Sequence, residues 1–477
     1  MEHQKRLLAA QYRLAQHYLE HLQAAERAYQ LGGESAVQAL GLFDQEREQI
    51  HLWQAWSAAH TGQDEKAAAM CSAYAGACPD IYKLRLLPQD YLRWLEAGLI
   101  AARRFSDRRV ELMLLLDVTE TYMRVAEYER AVEYAGQALS IARLIHDEPL
   151  LALSLNTYGN ALRGRMRYEE AQKCYEESLL LYEKIGDRRG RAEVLNNLGV
   201  LAIYTRKHDA ARLYLEQCLT LNREIGNQEG AATCLNNLGY LANRLEQYLT
   251  AGGYLEQALA LFRVLGDSAG TAMALTNLGL AAYYQDAYAL AKRYLEQSLD
   301  AAHTAGILER EILCLYRLGE VTMAQGDLIS AQAYFEQSLT RDPERATSGL
   351  LADTLSNLAI IYQQLHREDR VRPALREALE AVLRFAGEND KRNVLSRAAR
   401  LWVLQGKPLQ AAAWLGLVEN QAHTAIKTAE IKRHIRLARA ECEAALLPEQ
   451  FASAWEGGKS LNLEAVLAEI LGELQDI

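Results

Sequence analysis

The chain has 477 residues, half of them apolar, with 52 basic against 62 acidic side chains and a formal charge of −10. That balance, with no Lys/Arg cluster, argues against a nucleic-acid binder, and no stretch reaches the run of apolar residues a membrane span needs. Alanine and leucine dominate, proline is scarce and β-branched runs are nearly absent, so helix is expected throughout.

The N-terminal segment MEHQKRLLAAQYRLAQHYL enters an amphipathic helix at once, without the order of a signal peptide, which predicts a soluble, cytoplasmic protein. Residues 1–105 read as an irregular helical cap: a degenerate helix pair over 47–77, with Gly62 at its turn and Ala67 beyond it, then a helix over 82–104.

From 106 to 425 the chain repeats. LNNLG at 195–199, LNNLG at 235–239 and LTNLG at 275–279 set a period of 40 residues, and the same step reaches Gly159 and Gly319, then Thr119, Ala359 and Ala399. Twelve residues after each comes another small residue, Ala131, Ala171, Ala211, Ala251, Ala291, Ala331 and Ala411, with Val371 the larger exception. Seven further on stand Ala138, Ser178, Cys218, Ala258, Ser298, Ser338, Ala378 and Val418, and large residues such as Tyr175, Leu215, Leu255, Leu295, Phe335 and Leu375 recur between them. Small positions let two antiparallel helices approach while the large ones fill the adjacent holes. Residues 426–477 read as a helical C-terminal cap. Seven cysteines, at 71, 78, 174, 218, 234, 314 and 442, match no zinc or disulfide framework. Cys218, Cys234 and Cys314 fall at small positions of the repeat frame and are expected to be reduced core thiols.

This pattern of a small residue, Ala twelve on, an aromatic or Leu four on and a small residue three on resembles the tetratricopeptide repeat. The 40-residue period with IGD (185–187), IGN (225–227) and LGD (265–267) loops is most similar to the longer variant of kinesin light chains and Pins-like adaptors. The resemblance implies an all-α, right-handed α-solenoid of about eight units over 106–425. The flanks resemble the sensor arm of STAND-type, maltose-activator-like regulators. FDQEREQIHLWQAW, with Glu46, Gln49, Ala55 and Trp56, and YLRWLEAGL carry the likeness on one side; FASAWEGGKSLNLEAVLAEIL, with Ala454, Trp455, Gly457, Leu463 and Ala465, carries it on the other. Gln49 stands where that pattern usually has Asn, and neither a Walker-type phosphate loop nor a helix-turn-helix output is found.

Catalytic constellations are absent. Gly457-Gly458-Lys459-Ser460 looks like the end of a phosphate loop, but its first glycine would fall at Ser453 and no strand precedes it, so a helix junction is expected. His17 and His21 are spaced for metal chelation, yet no third ligand is suggested. The chain is therefore expected to be no enzyme and to use no metal or cofactor.

The resemblance implies that positions 2, 5, 6, 9, 12 and 13 of each first helix line a concave groove, the small residue at its centre being position 8. In the six pairs from Leu153 to Gln364, those positions hold nine of the chain's 15 asparagines: Asn156, Asn160, Asn196, Asn197, Asn236, Asn237, Asn243, Asn277 and Asn357. Asparagine is a mediocre helix residue, so the enrichment calls for a reason. Its amide both donates and accepts, which suits the backbone of an extended peptide, and the resemblance assigns that role to Asn197, Asn237, Asn277 and Asn357. The competing reading is that position 6 only bonds to a neighbouring repeat's helix. Tyr204, Tyr240, Tyr283, Tyr284 and Tyr316 join the face, as contact surface or as packing between first helices. So do Arg163, Arg244 and Arg317, offset by Glu193, Glu320 and Asp353, which leaves the groove formally neutral. The expected function is a peptide- or protein-binding scaffold, a regulatory sensor or adaptor arm. The alternatives are a stand-alone peptide receptor and a subunit that presents substrate to a separate enzyme. Ligand identity and oligomeric state stay open.

Overall fold

Where two helices of a pair cross, one must lack a side chain, and the period of small residues sets the architecture. The computed structural model describes residues 2–30, 33–62, 64–341, 348–385, 387–420 and 429–475, and among these it contains α-helices and no strand. Five helices precede the repeats: α1 (Glu2–Gln30), α2 (Gly33–His60), α3 (Glu65–Ala75), α4 (Pro79–Arg85) and α5 (Pro88–Arg104). Eight helix pairs follow: α6 (Arg108–Arg124) with α7 (Tyr128–Ile145), α8 (Glu148–Gly164) with α9 (Tyr168–Ile185), α10 (Arg188–Tyr204) with α11 (His208–Glu224), and α12 (Gln228–Arg244) with α13 (Tyr248–Leu265). The series continues with α14 (Ser268–Tyr284) and α15 (Tyr288–Ala305), α16 (Leu308–Ala324) and α17 (Leu328–Arg341), α18 (Ser348–Gln364) and α19 (Glu368–Phe385), and α20 (Glu388–Leu404) and α21 (Pro408–Asn420). The chain closes with α22 (Ala429–Ala445), α23 (Pro448–Gly458) and α24 (Leu463–Gln475). Every first helix starts 40 residues after the last, from Arg108 to Glu388, so the period read from the glycines is the structural period. The expected boundary at 105 falls between α5 and α6, and the one at 425 lies outside the described residues.

The chain divides into two compact units, Met1–Asn237 with Val264–Gly266, and Leu238–Arg263 with Asp267–Ile477. Each is built by the same contacts. In the first, a Cβ on Gly199 would lie 2.6 Å from Leu215 Cγ, and one on Gly159 would lie 2.6 Å from the Tyr175 ring. In the second, Gly239 meets Leu255 in the same way at 2.5 Å, Gly279 meets Leu295 at 2.8 Å, and Gly319 meets Phe335 at 2.6 Å. Serines at the later small position tie the two helices of a pair: Ser178 Oγ donates to the Ala152 carbonyl and Ser298 Oγ to that of Ala272, each at 2.7 Å.

Loops between pairs follow the IGD reading. Gly186, Gly226, Gly266 and Gly306 have φ of 67–74°, and Asp187 and Asp267 then accept from the N–H groups that open the next helix. The turns inside pairs use the same left-handed conformation mostly without glycine: Ala126, Met166, Arg206, Glu246, Asp286 and His366 have φ of 57–64°. The strain is offset by helix-closing backbone bonds such as Lys207 N–H to the Ala202 carbonyl at 2.8 Å.

One expectation fails. Cys218 on α11 and Cys234 on α12 are joined by a disulfide, Cα–Cα 6.5 Å, whereas Cys71, Cys78, Cys174, Cys314 and Cys442 are free thiols. The second helix of one pair faces the first helix of the next at small residues, which brings the two sulfurs together. Spacing along the chain does not reveal that meeting.

Gly239→Leu and Gly252→Ala are expected to act in opposite directions. The first drives a side chain into Leu255 and the Ala251 carbonyl, 3.3 Å from the added Cβ, and should cost about 3 kcal/mol or more. The second adds a methyl where nothing lies within 4 Å and should gain up to about 1 kcal/mol from helix propensity. Hydrogen exchange of the 238–263 amides and urea midpoints check both. Equal effects of the two changes would rule out a close helix crossing at position 8.

Candidate functional site

In the first unit the asparagines form linked pairs between successive first helices. Asn197 Nδ2 on α10 donates to Asn156 Oδ1 on α8 at 2.9 Å, and Asn156 Nδ2 donates to Glu193 Oε1 at 2.7 Å. One repeat later Asn237 Nδ2 donates to Asn196 Oδ1 at 2.8 Å. In both cases position 6 of a first helix bonds to position 5 of the first helix before it. Asn160 Oδ1 accepts from the Tyr175 hydroxyl at 2.8 Å. Burial separates two layers: Asn156 is 1 % exposed and Asn236 5 %, while Asn160, Asn196 and Asn237 reach the surface half-buried and Asn197 lies at the boundary with 9 %. An amide has two N–H donors and two lone pairs, so an inter-helix bond leaves capacity on the surface members. Arg163 is half-buried at position 12, and Tyr204 is exposed and stacks on Tyr168 of the preceding helix, ring centroids 6.3 Å apart.

In the second unit Asn243 Nδ2 donates to the Asn277 carbonyl at 2.9 Å, while its own buried Oδ1 meets no donor. Asn277 itself is half-buried. Arg244 reaches back to the Tyr240 hydroxyl at 3.4 Å, and Tyr284 stacks on Tyr248 at 5.5 Å and meets Tyr283 edge-on at 5.3 Å. Tyr284 thus packs between neighbouring helices and stays half-buried, whereas Tyr283 is buried.

Farther along, the amide pattern gives way to a buried charge network. Arg397, with no exposed surface, donates from Nε to Asn357 Oδ1 at 3.0 Å and from Nη2 to the Tyr316 hydroxyl at 3.0 Å, and pairs with Asp353 at 2.5 Å. Arg317 pairs with Glu320 at 2.5 Å, and Glu320 accepts from Tyr316 at 3.1 Å. Two arginines and two carboxylates balance, as burial demands. Arg397 occupies position 6 one pair beyond Gln364, where the sequence count of groove positions stopped; continuing the frame by 40 residues reaches it.

At the other end, position 6 of α6 is Asp117 and position 9 is Glu120. Lys83 of α4 pairs with Glu120 at 2.5 Å and with Asp80 at 3.6 Å, and Glu26 accepts from the Asp80 N–H at 3.2 Å. Burial, only partly opposed by Lys83, pushes the Asp117 carboxyl up to about 7. Burial and the Asp80 charge do the same to Glu26.

The motifs set aside by sequence have structural places. Gly458 lies where α23 crosses α21, an added Cβ falling 1.8 Å from the Ala413 carbonyl oxygen, and Gly416 returns the contact against Trp455. His21 faces Glu46 at 3.2 Å and lies ring to ring with His17 at 4.1 Å. Among the described residues no group of three His, Cys, Asp or Glu side chains could hold a metal, and no helix is long and apolar enough to cross a membrane.

With this geometry in place the class is clear: a tandem helix-pair array whose first helices present the polar face. The tetratricopeptide-repeat family model matches residues 150–224, 230–302 and 311–384, so these segments are tetratricopeptide repeats. No curated protein matches the sequence. Among solved structures, a Rap protein complexed with competence and sporulation factor is similar over 78 % of this chain and 98 % of its own, at 16 % identity and a TM-score of 0.50. The apo quorum sensor NprR of B. thuringiensis covers 74 % and 97 % at 13 % identity and 0.49. BtubC of P. vanneervenii covers 45 % and 90 % at 23 % identity and 0.41.

The raised carboxyls generate a pH prediction. Folded Asp117 and Glu26 keep their protons to about 7, whereas the unfolded chain releases them near the ordinary carboxylate values of 3.8 and 4.5. Their contribution is full below those values and is lost as pH rises through 7. Thermal melting should therefore fall between about pH 4 and about pH 7, and Asp117→Asn with Glu26→Gln should flatten that slope. An unchanged slope in the double variant would remove both groups from the account.

Proposed function

We propose that the chain is a peptide- or protein-binding scaffold that holds an extended polypeptide segment along the face of its first helices. The observation that carries this reading is the surface layer of amides in the first unit: Asn160, Asn196 and Asn237 are half-buried at groove positions and recur in three successive repeats. Such amides pair with a peptide's N–H and C=O groups without reading its side chains, and the tyrosines beside them supply rigid contact area. The Rap protein that shares the fold was solved with competence and sporulation factor bound, which agrees with a ligand on this kind of array. The finer reading, a sensor or adaptor arm related to STAND regulators, rests on the flanking segments around Trp56 and Trp455. A cytoplasmic location and an absence of enzymatic activity, metal, cofactor, nucleic acid and membrane belong to the same proposal.

The test uses Asn196→Ala with Asn237→Ala. Removing both partners of one hydrogen bond strands neither, so melting should move by no more than about 2 °C. A peptide selected from a random displayed library against the parent protein should lose at least about tenfold in affinity, since each lost amide leaves polar groups of the bound backbone unmet. Parental affinity in the folded double variant would place the binding surface elsewhere.

A further inference from the structure

The first turns of α22 lie against repeats far earlier in the chain. Arg433 donates from Nη1 to Asp286 Oδ1 at 3.0 Å and from Nη2 to the Tyr288 hydroxyl at 2.6 Å. Its guanidinium carbon sits 4.4 Å from the centre of the Tyr283 ring and 5.6 Å from that of Tyr288. The Tyr288 hydroxyl in turn donates to Asp286 at 2.6 Å, so the cradle is knit before the arginine is counted. Beside it Lys432 pairs with Glu246.

These partners repeat. Glu246 and Asp286 occupy the same left-handed turn in consecutive pairs, with φ of 60° and 57°, and are the only acidic residues in that turn among the described left-handed positions. Two adjacent acidic turns thus take two adjacent basic residues. Tyr283 is position 12 of its first helix, one of the groove positions. A planar cation stacked on a ring while its edge meets a carboxylate and a hydroxyl is arginine chemistry, which a lysine ammonium satisfies only in part.

The occupant is joined to the rest of the protein by a different set of contacts. Ile435, Ala438 and Cys442 are buried in the C-terminal core, and Glu441 pairs with Arg400 at 3.0 Å. The end bearing Lys432 and Arg433 meets the turns through charge, with Ile431 beside it buried in the same core, while Asp286 and Glu246 keep about half their side-chain surface in water, at 60 % and 44 %. The Lys432–Glu246 pair is open to solvent on both sides and weakens with salt, and the Asp286 side of the arginine pair is open as well.

We propose that Tyr283, Asp286 and Tyr288, with Glu246, form a recognition site for a Lys-Arg or Arg-bearing polypeptide segment, and that Lys432 and Arg433 are its internal occupant, displaced when such a segment binds. This deepens the peptide-binding reading and rests on it. The site names the ligand chemistry that the neutral amide face leaves open: a basic residue, arginine above all, anchored at the turns.

The probe is a fluorescein-labelled peptide copying residues 429–440, AEIKRHIRLARA, titrated into the full chain. The double variant K432E/R433E repels its own strap from Glu246 and Asp286, so it should bind the peptide at least about tenfold more tightly than the parent. Adding Asp286→Asn should abolish that gain, and a peptide with lysine in place of the arginine equivalent to Arg433 should bind several-fold more weakly. In the parent, saturating peptide should raise amide exchange across 431–435 at least about tenfold, a readout that does not depend on the variant folding. Equal affinity of parent and folded variant, indifference to Asp286→Asn, or unaltered exchange in the parent at saturation would each overturn the proposal. Library-selected peptides that still depend on Asn196 and Asn237 would then leave the amide face standing without the arginine cradle.

Discussion

The structure depends on how near two helices of a pair can come at position 8. With Gly239 under Leu255 and Gly199 under Leu215, one backbone lies against the other side chain with no room for a methyl group. That contact fixes the rotational phase of each first helix about its axis. Once the phase is fixed, positions 5, 6, 9 and 12 have only one direction in which to point, and the polar face follows from an apolar constraint on the opposite side. Phase, repeated in every pair, turns scattered asparagines into a register.

The register accounts for one of the two readings of the asparagines, the bonds between neighbouring first helices. Asn197 and Asn237 do bond to the helix before them. The same bonds orient the amides and hold their planes across the face. Stacked tyrosines such as Tyr204 on Tyr168 behave alike, rigid through a neighbour and still open on one side. The orientation of the face and the cohesion between repeats come from one set of side chains.

Much of this was legible in the sequence because the signal was periodic. The helix starts, the crossing glycines and the N-capping aspartates all repeat every 40 residues, so each confirms the others. What escaped was whatever broke the period or joined distant positions. Arg397 lay one step past the counted frame, and the disulfide joined helices of different pairs. The left-handed turns at Met166 and Arg206 carry no glycine to mark them. The docking of Arg433 onto Asp286 spans 147 residues and has no local signature at all.

The Arg397 network has a bearing on how such an array can change its length. Tandem repeats grow and shrink by duplication and loss of whole units, a route open only where neighbours are interchangeable. Between α8 and α12 a pair meets the next through amides and apolar residues that any similar pair could supply. From α16 to α20 the tie is one guanidinium reaching Tyr316, Asp353 and Asn357 across successive repeats. Excision of the α18 or the α20 unit would strand a buried charge, at a cost of several kcal/mol, and excision of the α16 unit would take the Tyr316 hydroxyl from Arg397. The C-terminal repeats are therefore frozen in number and order, and copy-number variation among descendants of this sequence should concentrate in the uniform stretch before them.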